Sequence, residues 1–347
     1  MTNFALLDLM IRGGSLALLA LWSWVLVRDH RAQLAARVAV AMNASIAAHI
    51  IGTMAPPLGS NPLDPLFELG AVCVPALFWI FARTWFNDAA RVGWSGWLAI
   101  MTSMVMVSLV LVSIEPRTQL FYVAAPTMRV LMFAFATLGL WEAWRGRDGD
   151  LVEERRSMRL ALVGAVGAFV ILTNAVEVLV YSDLAPDYWR SLIELGVLLL
   201  TFGFCAAMFN ISQPLLFSAA STAPLRPRAA LPEDDAIVAR LRAHMQERLV
   251  WRDETLTIAA LAAQLGEPEY RLRRAINGTL GHRNFAQFLN GYRLAEVKAA
   301  LADPAQREVP ILTIALDAGF GSLGPFNRAF REAEGMTPSE YRARAAG

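Results

Sequence analysis

The sequence predicts an all-α protein in two parts, a seven-helix transmembrane bundle followed by an α-helical double helix-turn-helix domain. Three observations carry that expectation. Of 347 residues, 56% are hydrophobic and only 18% charged, and a mean hydropathy of +0.42 places much of the chain in an apolar solvent. The net charge of +1 hides a split: long stretches of the first two thirds lack ionisable residues, whereas the last third is dense in Arg, Asp and Glu. That last third also repeats a short pattern at helix-turn-helix spacing.

Crossing a hydrocarbon core of roughly 30 Å takes about 20 mainly apolar helical residues. Runs that meet this need centre near 6–27, 36–55, 66–86, 95–114, 120–141, 160–181 and 191–212. Turn or charge signals separate them: Arg28-Asp29-His30-Arg31, Pro56-Pro57 through Asn61-Pro62, Asn87-Asp88, Glu115-Pro116-Arg117, Arg145 to Arg159, and Asp183 to Asp187. Buried helices of a large soluble bundle would show polar stripes at a helical period, and these are mostly missing. The first run precedes its positive charges instead of following them, so it reads as a retained span and not as a cleaved leader.

The arginines set orientation, because short cytoplasmic loops retain Lys and Arg. Odd-numbered loops hold Arg28, Arg31 and Arg37, then Arg83 and Arg91, then Arg145, Arg147, Arg155, Arg156 and Arg159; the even ones hold only Arg117 and Arg190. The N-terminus is therefore expected outside and the C-terminal third in the cytoplasm. Residues 1–212 form the expected transmembrane domain, 213–235 a linker rich in Ala, Pro and Ser, and 236–347 the soluble domain.

Within that domain Ala262-x-x-x-Gly266 precedes Leu272-Arg273-Arg274-Ala275-Ile276, and Ala315-x-x-x-Gly319 precedes Phe326-Asn327-Arg328-Ala329-Phe330. In each copy a short helix ends at a glycine able to take positive φ, and a second helix then buries alternating apolar residues. Between the copies, residues 284–301 read as one helix on the order of 27 Å long. Successive major-groove faces on one side of B-DNA lie about 34 Å apart. A rigid spacer of this length can present two helices to adjacent turns of one duplex without a dimer, although a homodimer stays open.

Ile314-Ala315-Leu316-Asp317-Ala318-Gly319-Phe320, Phe326-Asn327-Arg328-Ala329-Phe330-Arg331 and Gly335-Met336-Thr337-Pro338-Ser339-Glu340-Tyr341-Arg342 together resemble the AraC/XylS C-terminal signature. The resemblance covers roughly residues 240 to 345 and leaves the apolar part undescribed. It implies a bacterial transcription regulator whose partner is double-stranded promoter or operator DNA; the apolar runs, and not the resemblance, lead to the expectation that a lipid-embedded part holds it at the cytoplasmic membrane. Carried over residue by residue, it points to Glu269, Tyr270, Arg273 and Arg274 in the first recognition helix, and to Ser322, Leu323, Asn327 and Arg328 in the second. Arg can pair with guanine or phosphate, Asn can read adenine, and Tyr can touch a phosphate or a thymine methyl. Because Arg274 and Arg328 recur at matched positions, phosphate anchoring and intradomain pairing stand beside base reading. Gly324 and Pro325 leave the first turn of the second helix few polar side chains. Locally, Thr337, Pro338 and Glu340 have the order of a capping box.

Ionisable groups within a bilayer are costly and so informative. His49, Glu68, Glu177 and Glu194 fall in the outer part of their spans, with Asn174 near Glu177 and Arg129 deeper. Together they are the candidate sensor, an outward pocket for a small polar or cationic ligand or for protons; interfacial placement and helix-holding ion pairs are the alternative. Cys73 and Cys205 are expected roughly 10 Å apart in depth, too far for a disulfide. No His/Cys spacing marks a metal site, no cofactor is implied, and no nucleophile with a nearby base marks an enzyme. The alternative function, a membrane transporter or enzyme carrying a regulatory DNA-binding tail, lacks matched broken helices or inverted repeats.

Overall fold

The computed structural model describes residues 3–53, 63–86, 92–114, 118–145, 149–151, isolated positions between 156 and 189, and residues 190–210 and 232–345. It is all-α among these residues, with one isolated antiparallel bridge, Asp150 to Asn284. They fall into two compact units: Met1–Arg147 with Ser157–Ser221, and Asp148–Arg156 with Thr222–Gly347.

In the first unit, α1 (Asn3–His30), α2 (Leu34–Gly52), α3 (Asp64–Ala71), α4 (Val74–Phe86), α5 (Trp94–Ser113), α6 (Gln119–Arg145) and α7 (Arg190–Asn210) follow the expected apolar runs. The third run is interrupted at Val72 and Cys73, so α3 and α4 are separate helices. Most of the sixth run, near 160–181, lies outside the described residues. Helix α1 packs on α2 and α7, α2 on α3 and α4, and α6 on α4 and α5. Trp22, Leu26, Ala36, Phe81, Trp85 and Phe86 form one core, where Phe81 stacks on Trp85 with ring centroids 5.1 Å apart. Small residues let the helices close: a Cβ on Gly139 would stand 2.5 Å from the Phe78 ring. Cys73 and Cys205 are free and buried.

Among the described residues, five helical segments are long and apolar enough to cross a membrane: Leu6–His30, Leu34–Gly52, Asp64–Phe86, Trp94–Ser113 and Gln119–Arg145. Ser191–Ala206 is a shorter apolar helix.

The second unit holds α8 (Pro232–Arg248), α9 (Ile258–Leu265), α10 (Glu269–Arg274), α11 (Phe285–Ala302), α12 (Ile311–Asp317), α13 (Leu323–Glu334) and α14 (Pro338–Ala345). Helix α8 starts inside the stretch read as linker, since Pro is tolerated in a first helical turn; residues 213–231 lie outside the described residues. Two cores form here. Ile237, Leu241, Met245, Leu261, Leu272 and Ile276 belong to the first, and Ile314, Ala315, Phe320, Phe326 and Phe330 to the second. One helix threads both, because α11 gives Phe285, Phe288 and Leu289 to the first core and Leu294, Val297 and Leu301 to the second. Arg293 ties them further: its guanidinium donates to Trp251 O at 2.7 Å and Asp253 O at 2.8 Å and lies 5.8 Å from the Phe320 ring centroid.

Candidate nucleic-acid interface

Each helix-turn-helix is built by a cap, a glycine and an apolar stripe. Thr257 N-caps α9 by accepting from Ala260 N at 3.1 Å, and Gly266 closes it at φ +66°. Helix α10 follows after Pro268 and opens into a π-helical turn over Ala275–Thr279. In the second copy α12 ends before Gly319, whose φ is +91° and where a Cβ would lie 2.5 Å from Trp251 O. No side chain fits there, so the close approach itself demands glycine. Asn284 caps α11 through Ala286 N at 2.8 Å. The expected capping box is present: Thr337 N donates to Glu340 Oε2 at 2.7 Å, and Glu340 N donates to Thr337 Oγ1 at 3.2 Å. The Thr337 backbone N–H, and after it the Thr337 hydroxyl, hold the Glu340 carboxyl below its usual range.

The first recognition helix, α10, divides the residues assigned to it. Tyr270 is 61% exposed and its hydroxyl accepts from Arg271 Nε at 3.3 Å. Arg274 is 40% exposed along its side chain and grips Asp234 with two nitrogens, Nη2 to Oδ1 at 2.7 Å and Nε to Oδ1 at 3.0 Å. Asp234 is buried, so this arginine is an intradomain partner as well as a surface cation. Arg273 is buried: Nε donates to Glu269 Oε1 at 2.7 Å and Nη1 to Asp150 O at 2.6 Å. Glu269 is half-buried beside it.

The second recognition helix, α13, presents its start. Ser322, Leu323 and Arg328 are exposed and Asn327 is half-buried, while Phe326 and Phe330 on the opposite face are fully buried. Gly324 and Pro325 occupy the exposed first turn. That turn offers backbone and aliphatic surface, with Asn327 and Arg328 as its polar reach.

A helix-turn-helix domain model matches residues 261–344. Over 104 residues the chain is 32% identical to regulatory protein SoxS of Escherichia coli (strain K12), a match covering 29% of this chain and 94% of that protein. The chain belongs to the AraC/XylS family of regulators. Regulatory protein SoxS of Salmonella typhimurium is 33% identical over 92 residues, 26% of this chain and 82% of that protein. The right origin-binding protein of E. coli (strain K12) is 31% identical over 102 residues, 28% of this chain and 34% of that protein. No solved structure matches the chain. The AraC/XylS relationship thus rests on the second unit.

In the first unit the structure places Glu194 of α7 at 3% exposure. It sits with residues that the sequence reading passed over. Arg12 of α1 donates through Nε to Asp8 at 2.8 Å and through Nη1 to Ile50 O at 2.9 Å and Thr53 Oγ1 at 2.8 Å, and its Nη1 lies 3.1 Å from Glu194 Oε1. Thr53 Oγ1 lies 2.9 Å from the same carboxylate oxygen. Helices α1, α2 and α7 are joined by one buried charge network. Its signal was legible as Asp8 and Arg12, four apart in an otherwise apolar run. Of the other candidate sensor residues, His49 and Arg129 are half-buried and Glu68 is exposed on α3; Asn174 and Glu177 lie outside the described residues. Among the described residues no cluster of His, Cys, Asp and Glu could hold a metal ion.

Proposed function

We propose that this AraC/XylS-family chain is a one-component, membrane-anchored transcription regulator: its second unit binds double-stranded promoter DNA from the cytoplasmic side, and its helical bundle spans the membrane and receives the signal. The observation that carries the DNA-binding half is the pair of helix-turn-helix units sharing α11, each with its recognition helix starting at the surface. Tyr270 and Arg274 from α10, and Ser322, Leu323, Asn327 and Arg328 from α13, are the proposed contacts; Arg273 with Glu269 joins them when its present partners let go. Arginine and tyrosine supply phosphate contacts, and Asn327 the adenine-type base contact.

For the membrane half, between 17% and 39% of each candidate span is buried within the protein. Most of that apolar surface faces outward, and a lipid bilayer is the solvent that would cover it. Seven spans are our reading of the apolar runs in the sequence, and the arginine asymmetry of the loops would put the N-terminus outside. The bundle's buried polar groups, Glu194 foremost, are where a small polar or cationic ligand or a proton would be felt.

The test uses the full chain in lipid nanodiscs. It should retain fragments from a random duplex pool with an affinity that falls steeply with salt, and reporter fusions after Ser113 and Arg145 should report opposite sides of the membrane. Retention of no duplex at low salt would overturn the DNA-binding half, and same-side reporters the topology.

A further inference from the structure

We propose that Gly149–Leu151, in the stretch of the second unit that follows α6 in the chain, is an autoinhibitory clasp that docks on the first helix-turn-helix and keeps Arg273 from DNA. This rests on the DNA-binding reading above.

Connectivity makes the segment unusual. The chain leaves the first unit after α6, joins the second unit over Asp148–Arg156, and returns to the first at Ser157. Gly149 follows the end of α6 by only four residues. Whatever moves α6 is therefore tethered by a short stretch of chain to the DNA-binding unit.

The docking is specific. Phe285 N donates to Gly149 O at 2.9 Å and Leu151 N donates to Arg283 O at 3.0 Å. These two bonds flank the Asp150–Asn284 bridge, at the turn that starts α11. Asp150 is fully buried, and Leu151, 3% exposed, belongs to the same core as Leu272 and Ile276 of the first helix-turn-helix.

Its consequence falls on one recognition residue. On α10, Tyr270 and Arg274 reach the surface, whereas the Arg273 side chain is 5% exposed and donates to Asp150 O. A guanidinium held this way cannot fork onto a phosphate or guanine. Withdrawing the segment removes the Asp150 carbonyl that Arg273 binds and takes Leu151 out of the core that Leu272 and Ile276 share. The docking thus combines the Leu151 side chain, two backbone bonds and the Arg273 bond to Asp150 O.

Asp150 and Asn284 form a non-hydrogen-bonded antiparallel pair, whose Cα atoms stand about 4.5 Å apart, within disulfide range. Asp150→Cys with Asn284→Cys in the full chain should crosslink on oxidation, with Cys73 and Cys205 buried elsewhere. The probe is a duplex selected from a random pool by the reduced protein in nanodiscs at low salt. The oxidised protein is expected to bind it about tenfold more weakly than the reduced protein, and adding Arg273→Ala should abolish the difference between the two redox states. Equal or tighter binding when locked overturns the clasp, as does failure to crosslink in a protein that selects DNA. If the crosslink forms but the reduced protein selects no duplex, the DNA-binding reading falls, and the clasp's role with it.

Discussion

Arg12 of α1 and Glu194 of α7 form an ion pair with 5% and 4% of their side chains exposed, Nη1 to Oε1 at 3.1 Å. Buried charges are tolerated when paired, and removing one partner strands the other. Arg12→Met or Glu194→Met should each cost about 3–5 kcal/mol, read as a lower unfolding temperature in detergent. The double variant Arg12→Met with Glu194→Met should be milder than either single change. A sum of the two losses would mean the residues act independently.

Asp234 restrains Arg274. Replacing it by Asn should loosen α8 from α10 at a cost of about 1–2 kcal/mol, while returning a cation to the exposed face of the first recognition helix. Full-chain DNA binding should then become more salt-sensitive, with the slope of log K against log salt steeper by about 1. An unchanged slope would mean that Arg274 already engages phosphate in the parent protein.

The two turn glycines should differ in sensitivity. At Gly266 a Cβ meets nothing within 4 Å, so Gly266→Ala carries only the positive-φ penalty of about 1–2 kcal/mol. At Gly319 it meets the backbone of Trp251 and Arg252 as well, and Gly319→Ala should cost about 2–5 kcal/mol. Native-state hydrogen exchange of the α9 and α12 amides measures both, and equal losses would refute the close approach as the reason for glycine.

On the second recognition helix, Arg328→Ala should weaken DNA binding across sequences and lower the salt slope by about 1. Asn327→Ala should instead relax preference at one base position with little change in slope. Binding to a panel of single-base variants of a selected duplex separates the two effects.

Burial pushes the His282 pKa below its ordinary 6.5. Its ring lies edge-on to Phe288, centroids 5.5 Å apart. The unfolded chain then holds the proton more readily than the folded domain. Stability from this group is complete above about pH 6.5 and lost as pH falls through the lowered value. Hydrogen exchange of α11 amides should quicken as the pH drops below 6.5, after correction for intrinsic rates, and His282→Phe should flatten that dependence. Asp253 and Glu340, whose carboxyls are held below their usual range, are already ionised in that window.

The helix-turn-helix repeat was readable because its constraints are local. Gly266 and Gly319, the alternation around Phe326 and Phe330, and the Thr337–Glu340 box concern residues within a few positions of each other, where backbone geometry and caps leave few choices. The long α11 was equally plain, since its apolar side keeps a helical period. The boundary at Pro232 was not, because what orders the start of α8 includes an arginine on α10 far along the chain.

By itself, then, the sequence determined the double helix-turn-helix, the helix between its halves, and the apolar helices before it, through periodicity and local chemistry. Tertiary structure alone decided which of the candidate residues face outward. Tyr270, Arg273 and Arg274 were assigned together from the sequence, yet one is open, one is buried against Asp150 O and Glu269, and one is tied to Asp234. Arg12 likewise acquired its meaning only when α2 and α7 brought Thr53 and Glu194 to it. The reason is physical: exposure and pairing are set by segments distant in sequence, and no local pattern records which distant backbone carbonyl or carboxylate will arrive.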